Sequence, residues 1–361
     1  MPQSVALVHD YLTQRGGAER VAVSLTRAFP GAPLYTSLYE PCATFPELAA
    51  AEVRPMRLNR FPLLQQNHRL ALPLLAPAFS RLHVDADVAV CSSSGWAHGV
   101  RVSGRKIVYC HTPARWLYQP DRYLRGRGAA ARAVAAGLRP ALIHWDRAAA
   151  ASADRYLANS SAVAERIAHV YGIEAEVVSP PPALTPDGPA EPQDGLEPGF
   201  VLCVSRLLPY KNVDAVVRAF ATLPGERLVV AGVGPDAAAL RAFAGPNVTF
   251  VGAVEDAELR WLYRASDALV AASHEDFGLT PLEAASFGKP AAVLRWGGFL
   301  DTVEEGESGI FFEMPTPEAV ANAVREVRAG RWHEDAIRAH AARFSEERFL
   351  ERMRAIVIEL G

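Results

Sequence analysis

Short apolar runs alternate with amphipathic stretches along nearly the whole chain, and most of the runs stop at a cluster of polar residues. Residues 200–204 and 268–272 are apolar throughout, as expected of strands buried in a parallel sheet, and 4–8 and 106–110 also read as strands. Helical periodicity occupies 17–29, 213–221 and 346–360, and 129–151 reads as an alanine-rich helix. This alternation predicts an α/β fold of two doubly wound, Rossmann-like parallel sheets facing each other across a cleft. From Ser179-Pro180-Pro181-Pro182 to Glu197-Pro198-Gly199 the chain is crowded with Pro, Gly, Asp and Glu and has no period, which marks a linker. The expected division is an N-terminal domain over 1–182, a linker over 183–198, a second domain over 199–345, and a last helix over 346–361 that crosses back to the first domain.

The polar clusters at the strand ends hold the candidate chemistry, because open α/β sheets bind ligands beyond the carboxyl ends of their strands. After the run 268–272 comes Glu275-Asp276-Phe277-Gly278-Leu279-Thr280-Pro281-Leu282-Glu283, which sets one carboxylate in a loop and a second at a helix start. Thr280 reads as the N-cap with Pro281 at the first helical position, so Glu283 fits a capping box as well as a ligand role, and both stay open. The backbone N–H groups of Phe277, Gly278 and Leu279 lie just ahead of that helix start, which favours anions. Ser205-Arg206-Leu207-Leu208-Pro209-Tyr210-Lys211-Asn212 follows the run 200–204 and delivers two cations in front of a helix. An arginine fork and a lysine point charge so placed can clamp a diphosphate. In the first half, Gly16-Gly17-Ala18-Glu19 opens a helix soon after His9-Asp10, and glycines there let backbone amides approach a phosphate or a sugar. His111 ends the run 106–110, and Pro113 stops the strand from continuing, so the imidazole belongs at a strand's carboxyl end rather than within a core.

Together these features resemble the retaining GT-B glycosyltransferases of family 4. The resemblance runs through Gly16-Gly17, His111, Ser205-Arg206 to Lys211, Val230-Ala231-Gly232-Val233-Gly234-Pro235, Val251-Gly252, Ala265-Ser266-Asp267, Glu275 to Glu283, Gly288-Lys289-Pro290 and Gly297-Gly298. His111-Thr112-Pro113-Ala114-Arg115-Trp116-Leu117-Tyr118 further resembles the branch of GDP-mannose-dependent mannosyltransferases in bacterial surface-polysaccharide assembly. The resemblance implies that Arg206 and Lys211 neutralise the donor diphosphate, that Glu283 takes the ribose hydroxyls, and that Glu275 takes hydroxyls of the transferred sugar. It puts His111 beside the C6 hydroxyl of that sugar, and Gly16, Gly17, Phe277, Gly278 and Leu279 around the phosphates and sugar. Gly234, Val251 and Val254 would flank the base. In such enzymes the incoming hydroxyl arrives on the face from which the diphosphate leaves, with a phosphate oxygen as base, so no protein nucleophile is assigned. Arginine and lysine would do the work of a metal ion, and no cofactor is expected; no His/Cys/carboxylate cluster has metal-ligand spacing. The chain departs from the pattern after Gly297-Gly298, where Asp301 stands near the position of a glutamate in many relatives.

Composition narrows the setting. A chain of 361 residues, half of them hydrophobic and 21% charged, is long enough for two full cores. Its net charge of −3 excludes a general nucleic-acid binder. The four cysteines (Cys42, Cys91, Cys110, Cys203) are scattered, which points to reduced thiols rather than a disulfide framework. With no basic leader and no apolar stretch near 18 residues, a cytoplasmic protein is expected. Its partners are a nucleotide-sugar donor and a glycan or lipid-linked acceptor. Two stretches, 57–83 and 121–155, mix apolar residues with arginines and can rest on an anionic membrane, although a helix that packs its apolar stripe into the domain with its arginines solvated is the plainer reading. Alternatives are a UDP-sugar-dependent glucosyl, galactosyl or N-acetylglucosaminyl transferase, a nucleotide-sugar epimerase, and a non-catalytic scaffold of a polysaccharide assembly complex. A dinucleotide oxidoreductase is disfavoured, since Gly232-Val233-Gly234-Pro235-Asp236-Ala237 lacks the third glycine.

Overall fold

The structure is a computed structural model that describes residues 3–66, 68–119 and 129–360. The chain forms two compact units, residues 1–180 with 346–361, and residues 181–345. In the first, strands β1 (Val5–His9), β2 (Leu34–Thr36), β3 (Val53–Pro55), β4 (His83–Val84), β5 (Val88–Ser93), β6 (Arg101–Val102), β7 (Arg105–Cys110), β8 (Arg155–Ala158) and β9 (Glu176–Val177) follow in sequence. Seven of them make one sheet in the order β3-β2-β1-β5-β7-β8-β9, and β4 pairs with β6 apart from it. Every pairing is parallel. The central strand β5 is buried at all its positions, which is why its sequence shows no polar alternation.

Helices cover both faces of this sheet. On one, the helix Gly17–Ala28 sets Val21 and Leu25 into the same core as Phe349, Met353, Ile356 and Val357 of the last helix, Glu346–Leu360. Full burial of side chains such as Met353 and Ile356 stabilises by about 1.5–3 kcal/mol each. The two helices are also joined through Glu346, whose Oε1 accepts from Ser24 Oγ and Arg27 Nη1, both at 2.8 Å. The last helix therefore belongs to the first unit although the chain reaches it from the second. The alanine-rich stretch forms the helix Ala129–Ala151, with Pro140 inside it. Arg122, Arg125 and Arg127 of the expected cationic surface lie outside the described residues.

The second unit has a six-stranded parallel sheet of β10 (Phe200–Val204), β11 (Leu228–Ala231), β12 (Val248–Gly252), β13 (Ser266–Ala271), β14 (Ala291–Leu294) and β15 (Gly309–Phe312). Their order, β12-β11-β10-β13-β14-β15, reverses between β10 and β13. At such a reversal the connections leave in opposite directions, opening a crevice above the carboxyl ends.

The stretch expected as a linker packs within the second unit. Residues 183–198 are strapped to the helix Asp256–Ala265: Arg260 Nε donates to Thr185 O at 3.2 Å and Arg264 Nη2 to Pro186 O at 2.7 Å. A proline-rich backbone offers carbonyls without N–H groups, and these arginines supply the donors. The expectation that Thr280 is the N-cap is corrected. The helix is Leu279–Ser286, with Gly278 as N-cap at φ 92°, so Pro281 falls at its third position, where a missing N–H is still harmless. Glu283 is thereby out of frame for a capping box; Glu255 and Glu258 form one at the start of the helix Asp256–Ala265 instead.

All four cysteines are free, with Cys91, Cys110 and Cys203 buried and Cys42 exposed. Among the described residues no helix is long and apolar enough to cross a membrane.

Candidate active site

The strand-order reversal of the second unit gathers the charged residues. β10 ends at Val204, and the loop after it turns through a short 3-10 segment, Pro209–Lys211, into the helix Val213–Phe220. Asn212 makes that turn in the left-handed conformation, φ 51°, an angle that asparagine tolerates better than most residues. Its Nδ2 donates to Ala272 O at 2.8 Å, tying the β10 loop to the end of β13. Lys211 is consequently buried, and its Nζ donates to Glu275 Oε1 across the two loops. Ser273 Oγ donates to the same oxygen at 2.9 Å. The lysine side chain is 10% exposed and the glutamate 24%, so removing either takes from the other a partner that water only partly replaces.

Arg206 stays exposed, donates to Tyr210 Oη at 3.2 Å, and makes no ion pair among the described residues. It is a cation beside the crevice with its charge uncompensated. Glu283, in the helix Leu279–Ser286, is buried, and its Oε2 accepts from Tyr263 Oη at 2.6 Å. Tyr263 is itself enclosed and stacked on Phe287 with ring centroids 5.3 Å apart. Burial and the neighbouring carboxylate raise its phenol far above the usual range, so it stays protonated and donates.

Glycines seat both loops. A Cβ on Gly232, at φ 139°, would collide with Ser205 O, and one on Gly234 with Leu207 O, so the β11 turn presses against the segment that carries Arg206. On the other side Gly297, at φ 60°, lies on Glu275 O and Gly298 on Phe277, and Gly298 N donates to Glu275 O at 3.1 Å. Gly234, expected beside a base, packs closely on the backbone of Leu207. Val251 lies within β12, and both it and Val254 pack half-buried against the core. Phe277 also turns its ring inward, and Leu279 is the first helical residue after Gly278.

In the first unit His111 stands one residue past β7 and is 8% exposed, so it lies at a strand end and is nevertheless enclosed. Burial lowers its pKa to about 4. Asn159 Nδ2 donates to its carbonyl at 3.1 Å, and its Nε2 lies 2.7 Å from Ser92 Oγ. Gly16 is the N-cap of the helix Gly17–Ala28, which leaves Gly17 N–H at the helix end. Glu19 folds back over this end, where its Oε1 accepts from Gln14 Nε2 at 2.9 Å. Asp10, next to β1, accepts from the backbone N–H of Ser94 at 2.7 Å and of Ala97 at 2.6 Å, and burial raises its pKa to about 6.

One closely spaced carboxylate pair escaped the sequence reading, the Asp-x-Asp triplet Asp85-Ala86-Asp87. It lies at the amino end of β5, opposite the strand ends described above, and Asp87 Oδ2 accepts there from Ser4 N and Ser4 Oγ, both at 2.8 Å. Its task is to join the starts of β1 and β5.

Comparison with known proteins agrees with this architecture. The family described as "Glycosyltransferase Family 4" matches residues 15–181, and "Glycosyl transferases group 1" matches residues 189–344. The chain belongs to the group 1 and family 4 glycosyltransferases. The D-inositol 3-phosphate glycosyltransferase of Segniliparus rotundus is 31% identical over 225 residues, covering 55% of this chain and 50% of that protein. The chain thus spans about half the length of the curated relatives it matches. Among solved structures, HepE of Anabaena, in complex with UDP-glucose, superposes with a TM-score of 0.71 at 17% identity, covering 99% of this chain and 100% of that one. Sucrose-phosphate synthase from Thermosynechococcus elongatus gives 0.73 at 20% identity, covering 99% of each. These likenesses show that this glycosyltransferase chain has the GT-B fold.

Four residues of this family member escaped the sequence reading. Asn212 and Ser273 hold Lys211 and Glu275, Tyr263 holds Glu283, and Ser92 contacts His111. Asn212 and Ser273 adjoin the motifs and were readable as loop residues; Tyr263 lies 20 residues from its partner and nothing local marks it.

Proposed function

We propose that the protein transfers a hexose from a nucleoside-diphosphate sugar, with retention of anomeric configuration, to a glycan or lipid-linked acceptor. The observation that carries this is the Lys211–Glu275 pair at the strand-order reversal, beside the uncompensated guanidinium of Arg206. As the bond between the anomeric carbon and the phosphate breaks, negative charge collects on the diphosphate and positive charge on the sugar. Arg206 and Lys211 offset the first, and fixed groups of this kind contribute ~10²–10³ in rate each. Glu275 orients Lys211 and takes sugar hydroxyls, Glu283 takes the ribose, and His111 acts at the sugar. The Gly16-Gly17 and Phe277-Gly278-Leu279 amides complete the donor's surroundings. A phosphate oxygen serves as the base and no metal ion is assigned. The reaction belongs in the cytoplasm, where nucleotide sugars are made.

The stretch from His111 to Tyr118 supports GDP-mannose as the donor, whereas the UDP-glucose bound to HepE supports a UDP-sugar. Calorimetric titration with GDP-mannose, UDP-glucose and UDP-N-acetylglucosamine separates them: GDP-mannose should bind most tightly. Lys211→Ala and Glu275→Ala should each reduce turnover at least ~100-fold with the fold intact. Near-normal rates in both would exclude this site.

One surface supports action at a membrane. Phe61, Leu63, Leu70 and Leu74 are 45% to 72% exposed in the same stretch as the exposed Arg57, Arg60 and Arg81. The expected outcome is co-sedimentation with anionic vesicles at low salt that weakens as salt rises, since screening acts on the arginines. No binding at low salt excludes it.

A further inference from the structure

The buried polar groups behind His111 form a chain that the transfer chemistry above does not use. β1, β5 and β7 are neighbours in the sheet, with His9 opposite Ser92 and Ser92 opposite Tyr109, so their carboxyl ends bring His9, Ser92 and His111 together. Ser92 Oγ lies 3.0 Å from His9 Nδ1 and 2.7 Å from His111 Nε2. The three residues are 2%, 1% and 8% exposed, and the two rings meet edge to face with centroids 6.4 Å apart.

Proton counting restricts what this chain can do. A serine hydroxyl has one proton, so it donates to one of the two imidazoles and accepts from the other. If it donates to His9, then His111 must carry its proton on Nε2 and present a bare Nδ1. If it donates to His111, then His9 must carry its proton on Nδ1, and the free His111 Nδ1–H becomes a donor. Both rings are kept neutral by burial, which lowers His9 to about 3 and His111 to about 4, so neither escapes the choice by taking a second proton. Among the described residues the hydrogen bond of the His111 ring is made by Nε2, and Nδ1 is the nitrogen left for a ligand.

We propose that His9 is a positioning residue which, through the Ser92 hydroxyl, fixes the tautomer of His111 and so decides whether His111 meets the donor sugar as hydrogen-bond donor or acceptor. The link to the sugar rests on the role assigned to His111 in glycosyl transfer; the tautomer coupling does not. A histidine's remote nitrogen commonly governs its reactive one in this way.

The test is ¹⁵N NMR of histidine-labelled full-length protein, which reads the tautomer of each ring directly. In the unaltered protein His111 should show one tautomer, with one protonated and one bare nitrogen. Ser92→Ala should turn His111 into an averaged mixture, His9→Phe should do the same, and Ser92→Thr, which keeps the hydroxyl, should restore the single form. An unchanged His111 pattern in both Ser92→Ala and His9→Phe overturns the proposal. In turnover, Ser92→Ala should lower kcat by about ten- to a hundredfold with KM little changed, and Ser92→Thr should recover most of it. A merely structural role would alter the melting temperature in both serine variants and leave the tautomer alone. Should His111→Ala retain full turnover, the assigned role of His111 in transfer fails, while the NMR outcome still judges the coupling by itself.

Discussion

Glu283 owes its fixed carboxylate to Tyr263, whose hydroxyl donates to it at 2.6 Å from inside the core. A hydrogen bond to a charged group contributes about 1.5–3 kcal/mol, and a buried carboxylate that loses one is held less firmly in place. Tyr263→Phe keeps the ring that stacks on Phe287, so its effect should fall on the site: donor affinity drops about tenfold by calorimetry, with little loss of melting temperature. Unchanged affinity would mean that Glu283 does not touch the nucleotide. At this scale the sequence displayed the charged residues and concealed their holders. Glu275 and Lys211 are conspicuous in their loops; that they pair with each other follows from Asn212 pinning one loop to the other.

The elements show why the loops are so exactly shaped by glycine. Gly232 and Gly297 both have positive φ and both lie on the backbone of a neighbouring loop, the first on Ser205 and the second on Glu275. An added methyl meets a carbonyl oxygen that cannot retreat without moving Arg206 or Glu275. Gly232→Ala combines that collision with a left-handed backbone and should cost about 2–4 kcal/mol, read as a lower urea midpoint. Gly225→Ala is the control: nothing lies within 4 Å of the added carbon, and the change should stay within about 1 kcal/mol. Equal shifts in the two would contradict the seating argument. The strand runs were legible because parallel strands covered on both faces need no polar positions; β10 was expected over 200–204 and forms there. The helix after Glu275 was misread by two residues, because Thr-Pro is a strong local signal and the Gly278 cap depends on Phe299 and Thr302 lying close against it.

For the molecule as a whole, the buried ionisable groups of the first unit set a dependence on pH. The native state keeps His9 and His111 neutral down to about 3 and about 4, whereas the unfolded chain takes up those protons near 6.5. The unfolded state binds more protons across that window, so this contribution is fully present above pH 6.5 and is lost as the pH falls. Asp10 acts in the opposite sense: its carboxyl stays protonated in the fold up to about 6 and ionises near 3.8 when unfolded, so its contribution is lost as the pH rises through that range. His111→Gln removes one histidine and isolates its share. Between pH 7 and pH 5 the variant should lose about 2 kcal/mol less stability than the unaltered protein, measured by urea unfolding at each pH. Equal losses would show that His111 titrates normally.

Periodicity and composition alone determined that the chain alternates strand and helix, that the strands are buried and parallel, and that charged residues sit at their carboxyl ends, because each of these is a local property of a few consecutive residues. The family was visible for the same reason, since its motifs are the strand-end loops. Tertiary structure decided which of those residues meet. The strand order brings β10 beside β13 and β1 beside β5 and β7, so Lys211 finds Glu275 and His9 reaches His111 through Ser92 over separations of 64 and 102 residues. It also decided that Asp85-Ala86-Asp87 joins two strands at the far edge of the sheet. Spacing along a chain does not specify strand order, and in a parallel sheet strand order is what chooses the neighbours.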